Sequence, residues 1–150
     1  MKIVRQGLVF IFTVYLSLAF MIGCANFHQI IFKSEACIIP LKGYNYRTCK
    51  AMKVSIDGKP YTIPKDFKTD LASIPRILWP ILAPQYSGFV SPAILHDYLY
   101  RCNNNFSRQF IDEILYSALI TKNVTPFTAS KFYLGVRLFG DSHFKQGACL

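Results

Sequence analysis

Acid is scarce in this chain. Eight Asp and Glu stand against 17 Lys and Arg, a net charge of +9, and none of the eight lies in residues 1–23. No CxxC spacing occurs, and no CxxxH spacing suggests zinc, since Cys24-x3-His28 stands alone. There is no internal repeat or low-complexity tract, and 150 residues leave room for one domain. No nucleic-acid motif accompanies the basic charge. The charge therefore suits the anionic surface of a bacterial membrane or envelope. The plainer alternative is a generally basic, soluble surface.

Charge is also missing locally. Gly7 to Gly23 is an uncharged run, mostly Leu, Val, Ile, Phe and Ala, preceded by Lys2 and Arg5. A positive segment followed by an apolar one reads as a secretory signal. The run ends Met21-Ile22-Gly23-Cys24, which resembles the lipobox of bacterial lipoproteins, with Met where Leu is commoner. That resemblance implies lipidation of Cys24 as the new N-terminus. The alternatives are ordinary secretion or an uncleaved anchor helix, for which 17 residues is at the short limit. The expected organisation is a signal peptide over 1–23 and a single exported domain over 24–150. This places the protein outside the cytoplasm and membrane-anchored, on the periplasmic face. Ala25 favours outer-membrane sorting if the host is Gram-negative. The exported part keeps 15 basic residues and all eight acids, a charge of +7.

Five cysteines are an odd number for an exported chain. With Cys24 lipidated, Cys37, Cys49, Cys102 and Cys149 remain. They allow two disulfides in three pairings, or four buried thiols.

The pattern predicts an α+β fold with a small β-rich N-terminal half and three packed helices after it. Lys53 to Ile56 and Pro60 to Ile63 alternate around Asp57-Gly58, a hairpin signature. Pro64 to Pro92 is a long connection with five prolines and the only tryptophan, Trp79. Its apolar content argues against disorder. Ser91-Pro92 reads as cap and first position of a helix ending near Cys102. A second helix runs from Ser107 to about Lys122, with Asp112 at the edge of its apolar face and Glu113 pointing away. A third starts at Thr125-Pro126 and stops near Phe139, before Gly140.

The most informative pair is His96-Asp97. At 3.6 residues per turn, Ile94, Leu95, Tyr98, Leu99 and Cys102 share one face, and Ala93, His96, Asp97 and Tyr100 the other. The polar face looks at water, at a ligand or at a second helix. His96 is a candidate general base and Asp97 a candidate ligand for a hard cation. Asp112, across a short loop on an antiparallel helix, is the candidate brace for His96. Tyr100, one turn on, could add a hydroxyl. Arg108 pairs with Asp112 at i,i+4, a spacing that also suits a plain surface ion pair. Asp70 and Ser73 form either a structural turn or part of the same site.

Two resemblances follow from these residues. Phe67-x-Thr69-Asp70-Leu71-Ala72-Ser73-Ile74-Pro75-Arg76, Leu95-His96-Asp97-x-Leu99-Tyr100, Arg108 with Asp112, and Val136-Arg137-Leu138-Phe139-Gly140 resemble a family of uncharacterised proteins found mainly in bacteriophages and prophages. That family is a domain of unknown function and implies a genomic setting without a reaction. A lipoprotein signal in that setting implies action in the host envelope, for example superinfection exclusion. The helix pair alone is similar to the secreted calcium-dependent phospholipases. This implies His96 as base, Asp112 and Tyr100 as its braces, and Asp97 on calcium, with Asp70 as a further oxygen. The Gly-rich calcium loop of those enzymes has no counterpart in Arg76 to Gly88. Two functions stand open: an envelope ester hydrolase, and a non-enzymatic lipoprotein that binds a host or phage envelope component. The oligomeric state is left open.

Overall fold

The computed structural model describes residues 26–43, 45–71, 87–102, 105–141 and 144. The signal segment, Cys24, Ser73, Trp79 and Cys149 lie outside the described residues.

Six short strands precede three helices. Strands β1 (Ile30–Phe32), β4 (Met52–Ile56) and β5 (Lys59–Ile63) form one antiparallel sheet in the order β1-β4-β5. Strands β2 (Ile38–Pro40), β3 (Tyr46–Thr48) and β6 (Lys68–Thr69) form a second, in the order β2-β3-β6. Helices α1 (Ser87–Cys102), α2 (Arg108–Thr121) and α3 (Pro126–Phe139) follow. The expected α+β architecture is the observed one.

Local chemistry accounts for most element ends. Asp57 and Gly58 take φ of 47° and 80° at the β4–β5 turn, with Ile56 opposite Lys59. Two positive φ values make the two-residue turn whose twist suits a hairpin, and glycine adopts its share without strain. The Ser107 side chain accepts from the Phe110 N–H at 3.2 Å to cap α2. The Thr125 side chain likewise caps α3 by accepting from Thr128, with Pro126 in the first turn. The strands of the second sheet are only two or three residues long, too short for stability alone. A disulfide joins Cys37 to Cys49 one step beyond the β2–β3 ladder, where the Cys49 N–H also donates to the Cys37 carbonyl at 2.9 Å. Cys102 is disulfide-bonded as well.

Two expectations are corrected. Helix α1 starts at Ser87, four residues before the Ser91-Pro92 start read from the sequence, so Pro92 lies inside it. Pro92 gives no N–H to the helix, but the first turn is held by packing: the Phe89 ring lies 4.7 Å from that of Phe132 on α3. Glu113 does not point into solvent; it is buried at 2 % exposure. Helix α2 packs against α1, α3 and β1 at once, so it has almost no free face. Glu113 accepts from Gln109 and lies 3.6 Å from His28 Nε2. The His28 N–H donates to Ser117 Oγ at 3.0 Å, and its Nδ1 lies 2.8 Å from Asp57 Oδ2.

One apolar core joins the sheets to α1 and α2 through Ile30, Met52, Val54, Ile63, Leu95, Leu99, Ile111 and Ile114. A second, of Leu115, Leu119, Ala129, Phe132 and Val136 with Phe89, joins α2 to α3. Among the described residues no helix is long and apolar enough to cross a membrane.

The disulfide closes a 12-residue separation around weak strands. Replacing both cysteines, Cys37→Ser with Cys49→Ser, should lower unfolding free energy by about 2–4 kcal/mol in urea titration. An unchanged midpoint would mean that the second sheet stands without its staple.

Candidate functional site

Residues 96, 97 and 100 all lie on α1, but at 100° per residue they do not face the same way. His96 and Tyr100, one turn apart, face α2. Asp97 faces β6. The polar side of α1 is therefore not a wetted face: His96, Asp97 and Tyr100 are 2 %, 2 % and 1 % exposed.

The first cluster centres on Asp112, which is fully buried. His96 Nε2 lies 3.0 Å from its Oδ1, and the Tyr100 hydroxyl donates to the same oxygen at 2.5 Å. Arg137, near the end of α3, donates from Nη1 to Oδ2 at 3.1 Å. Arg108 Nε lies 3.8 Å from Oδ2. So the i,i+4 pair read from the sequence exists, but at a buried carboxylate and not on the surface. Arg108 also donates from Nη2 to the Val136 and Arg137 carbonyls, at 2.6 and 2.5 Å. It thus satisfies carbonyls that the end of α3 leaves over, where a cation is favoured. A buried carboxylate without partners would be strongly disfavoured; this one has ionic partners from two helices.

The geometry assigns protons. An ionised carboxylate only accepts, so Nε2 is the donor, and the neutral tautomer that this contact selects has its lone pair on Nδ1. Among the described residues no hydrogen bond reaches Nδ1. Burial, reinforced by the Asp112 bond, pushes the Tyr100 phenol above its ordinary value, so it remains a donor. The His96 and Tyr100 rings lie 4.1 Å apart, which fixes both orientations. Gly140 is required by close approach: a Cβ there would come within 2.9 Å of the Tyr100 hydroxyl and 2.6 Å of the Val136 carbonyl oxygen.

The second cluster lies about 100° around α1 from His96, toward β6. Thr69 Oγ1 donates to Asp97 Oδ2 and accepts from the Leu71 N–H at 3.0 Å. Leu71 takes a φ of 60°, a left-handed conformation that is strained for a bulky residue. Arg101 donates to the Lys68 carbonyl at 2.7 Å and lies 3.6 Å from Asp70 Oδ1. Among the described residues that Asp70 oxygen is buried with no hydrogen-bond partner. Burial, then the charge of Asp70, pushes the Asp97 carboxyl up to about 6, against the pull of Thr69, His96 and Arg101. Among the described residues no group of three or more His, Cys, Asp or Glu could hold a metal ion.

Of the residues singled out from the sequence, His96, Tyr100, Arg108 and Asp112 come together. Asp97 and Asp70 form the adjacent cluster, and Ser73 lies outside the described residues. Arg137 and Thr69 were missed as site residues, although both stand inside motifs quoted above.

Two outcomes follow. The native state keeps the Asp97 proton in a range where the unfolded chain, with an ordinary value of 3.8, has released it. Its contribution to stability therefore falls as pH rises from about 4 to 6 and is level above, by about 3 kcal/mol in total. Asp97→Asn keeps an acceptor for Thr69 without the charge. Urea titrations should find it more stable than the parent at pH 7 by up to that amount, with the two converging near pH 4. Parallel pH profiles would refute the assignment. Gly140→Ala should lose about 1–3 kcal/mol through the clash with Tyr100 and Val136; a neutral effect would show that the contact yields freely.

No curated protein matches this chain, and no solved structure does. The family described as "Protein of unknown function (DUF1353)" matches residues 46–136, from β3 through most of α3. That span holds both clusters apart from Arg137 and covers more than half of the chain. The chain belongs to this family of proteins of unknown function.

Proposed function

We propose that this protein is a membrane-anchored envelope protein of phage or prophage type, in which His96 and Asp112 form the base of an ester hydrolase acting on phospholipid. The observation that carries the reading is His96 Nε2 held 3.0 Å from a buried carboxylate, with the other ring nitrogen unbonded among the described residues. A carboxylate on one nitrogen fixes the tautomer and stabilises the imidazolium formed when the other takes a proton.

In the step proposed, Nδ1 takes a proton from water as the water oxygen bonds to the acyl carbon. The C–O ester bond then breaks, and the proton passes from His96 to the leaving alkoxide. The products are a fatty acid and a lysolipid. Arg137 and Arg108 hold the Asp112 carboxylate, and Tyr100 fixes its orientation. Asp97 and Asp70 are the described residues suited to calcium, and the unpartnered Asp70 oxygen fits that role. Calcium held there would supply positive charge for the developing oxyanion. Two carboxylates fall short of the six to eight oxygens calcium prefers, so the proton transfer is assigned to His96 alone. The setting rests on the N-terminal signal pattern, Cys24 and the basic charge.

A second reading has its own support. Asp112 is neutralised by Arg137 and Arg108, and His96 is almost wholly buried, so the cluster also serves to lock α1, α2 and α3 together. In that reading the protein is a non-enzymatic lipoprotein that binds an envelope component and blocks a competing phage.

Purified protein given phospholipid vesicles with calcium should release fatty acid, and His96→Gln should cut release by about a hundredfold or more. Release at the parent rate by a folded His96→Gln protein, or none from any lipid, overturns the hydrolase. Protection of cells from phage that survives His96→Gln would then favour the binding lipoprotein.

A further inference from the structure

The inner face of α3 is accounted for by Ala129, Phe132 and Val136, which pack on α2. Its outer face is unusual. Phe127 is 68 % exposed and Leu138 70 %. At 100° per residue, Phe127, Lys131, Leu134 and Leu138 fall within about 60° of one another and diametrically opposite the buried stripe. Lys131 lies along this stripe with its Nζ 4.2 Å from the Phe127 ring centre, so the cation borders the apolar surface. An apolar stripe edged by lysine is the pattern of a helix that lies in a membrane interface.

We infer that the outer face of α3 rests on the anionic lipid surface to which the chain is tethered. The inference depends on the membrane setting proposed above, and it adds which face of the domain meets lipid. Three observations favour lipid over a protein partner. The first is reach. The apolar run ends at Gly23 and β1 begins at Ile30, so six residues separate them. Even fully extended they span about 20 Å, which holds the domain against the surface. Phe27, within that short connection, is itself 65 % exposed. The second is charge: the exported part carries +7, complementary to anionic lipid. The third is size. Fourteen helical residues make a stripe about 21 Å long and one helix wide, a few hundred Å² at most. A stable protein interface needs about 800 Å² from each partner, whereas a lipid surface sets no such minimum.

The test uses the full chain reconstituted in vesicles of phosphatidylethanolamine and phosphatidylglycerol, with and without bromine on the acyl chains. Phe127→Trp and Leu138→Trp report from the stripe. Lys65→Trp, on the exposed turn between β5 and β6, is the control, and the parent's Trp79 sets the background. In the second sheet β6 packs on α1, whereas α3 packs chiefly on α2, so Lys65 and the stripe belong to different parts of the fold. The expected result is that brominated lipid quenches the two α3 reporters about twofold or more over the control. Vesicles that float with the protein but quench all three reporters alike overturn the inference and leave the tether standing. Protein that does not float with vesicles overturns the membrane setting itself. Emission already blue-shifted without lipid also overturns the inference. If the shift depends on protein concentration, a second copy covers the stripe; if it does not, the chain's own C-terminal residues do.

Discussion

A carboxylate withdrawn from water is the constraint on which the rest of this structure depends. Asp112 has no exposure, and its charge is tolerated because His96, Tyr100, Arg137 and Arg108 converge on it. Those partners come from all three helices. Helix α1 must therefore present residues 96 and 100 to α2, and α3 must end where Arg137 can turn back. Arg108 then closes the end of α3 by binding its carbonyls. Apolar packing brings the helices together, but it is permissive about rotation and register. The charge is not: with the wrong facing, it would lie buried without a partner.

The features legible in the sequence are those decided by neighbours along the chain. The Asp57-Gly58 turn, the Ser107 cap and the Thr125-Pro126 start each rest on local hydrogen bonds or local φ preferences. The His96–Asp112 contact was legible for a related reason, since a short loop between antiparallel helices restricts which faces can meet. Contacts over longer separations were not. Arg137 reaches Asp112 across 25 positions and Thr69 reaches Asp97 across 28, with no periodicity to announce either. The start of α1 was misread because Ser91-Pro92 is a valid local start signal, overridden by the packing of Phe89. Glu113 was misplaced because a helix with one buried stripe was assumed, and α2 has neighbours on three sides.

The two polar clusters flanking α1 differ in character. Around Asp112, charges balance and every oxygen has a partner. Beside Asp97 stands a second carboxylate, Asp70, one of whose oxygens lacks a hydrogen bond among the described residues, and the adjacent Leu71 backbone is strained. Satisfied networks hold folds together, while unsatisfied ones draw in a proton, a cation or a ligand. His96 belongs to the balanced cluster by its Nε2 and borders the other through its neighbour in sequence, Asp97.

His28 carries a mechanical consequence. It precedes β1, and its main chain is bound to Ser117 on α2, 89 positions away, while its ring is bound to the hairpin turn at Asp57. Tension applied through the residues ahead of Asn26 meets this clamp before it reaches the three-residue β1 ladder. The load passes into the central helix and the β4–β5 hairpin. A chain fastened at its N-terminus can thus be dragged or sheared without first peeling its edge strand.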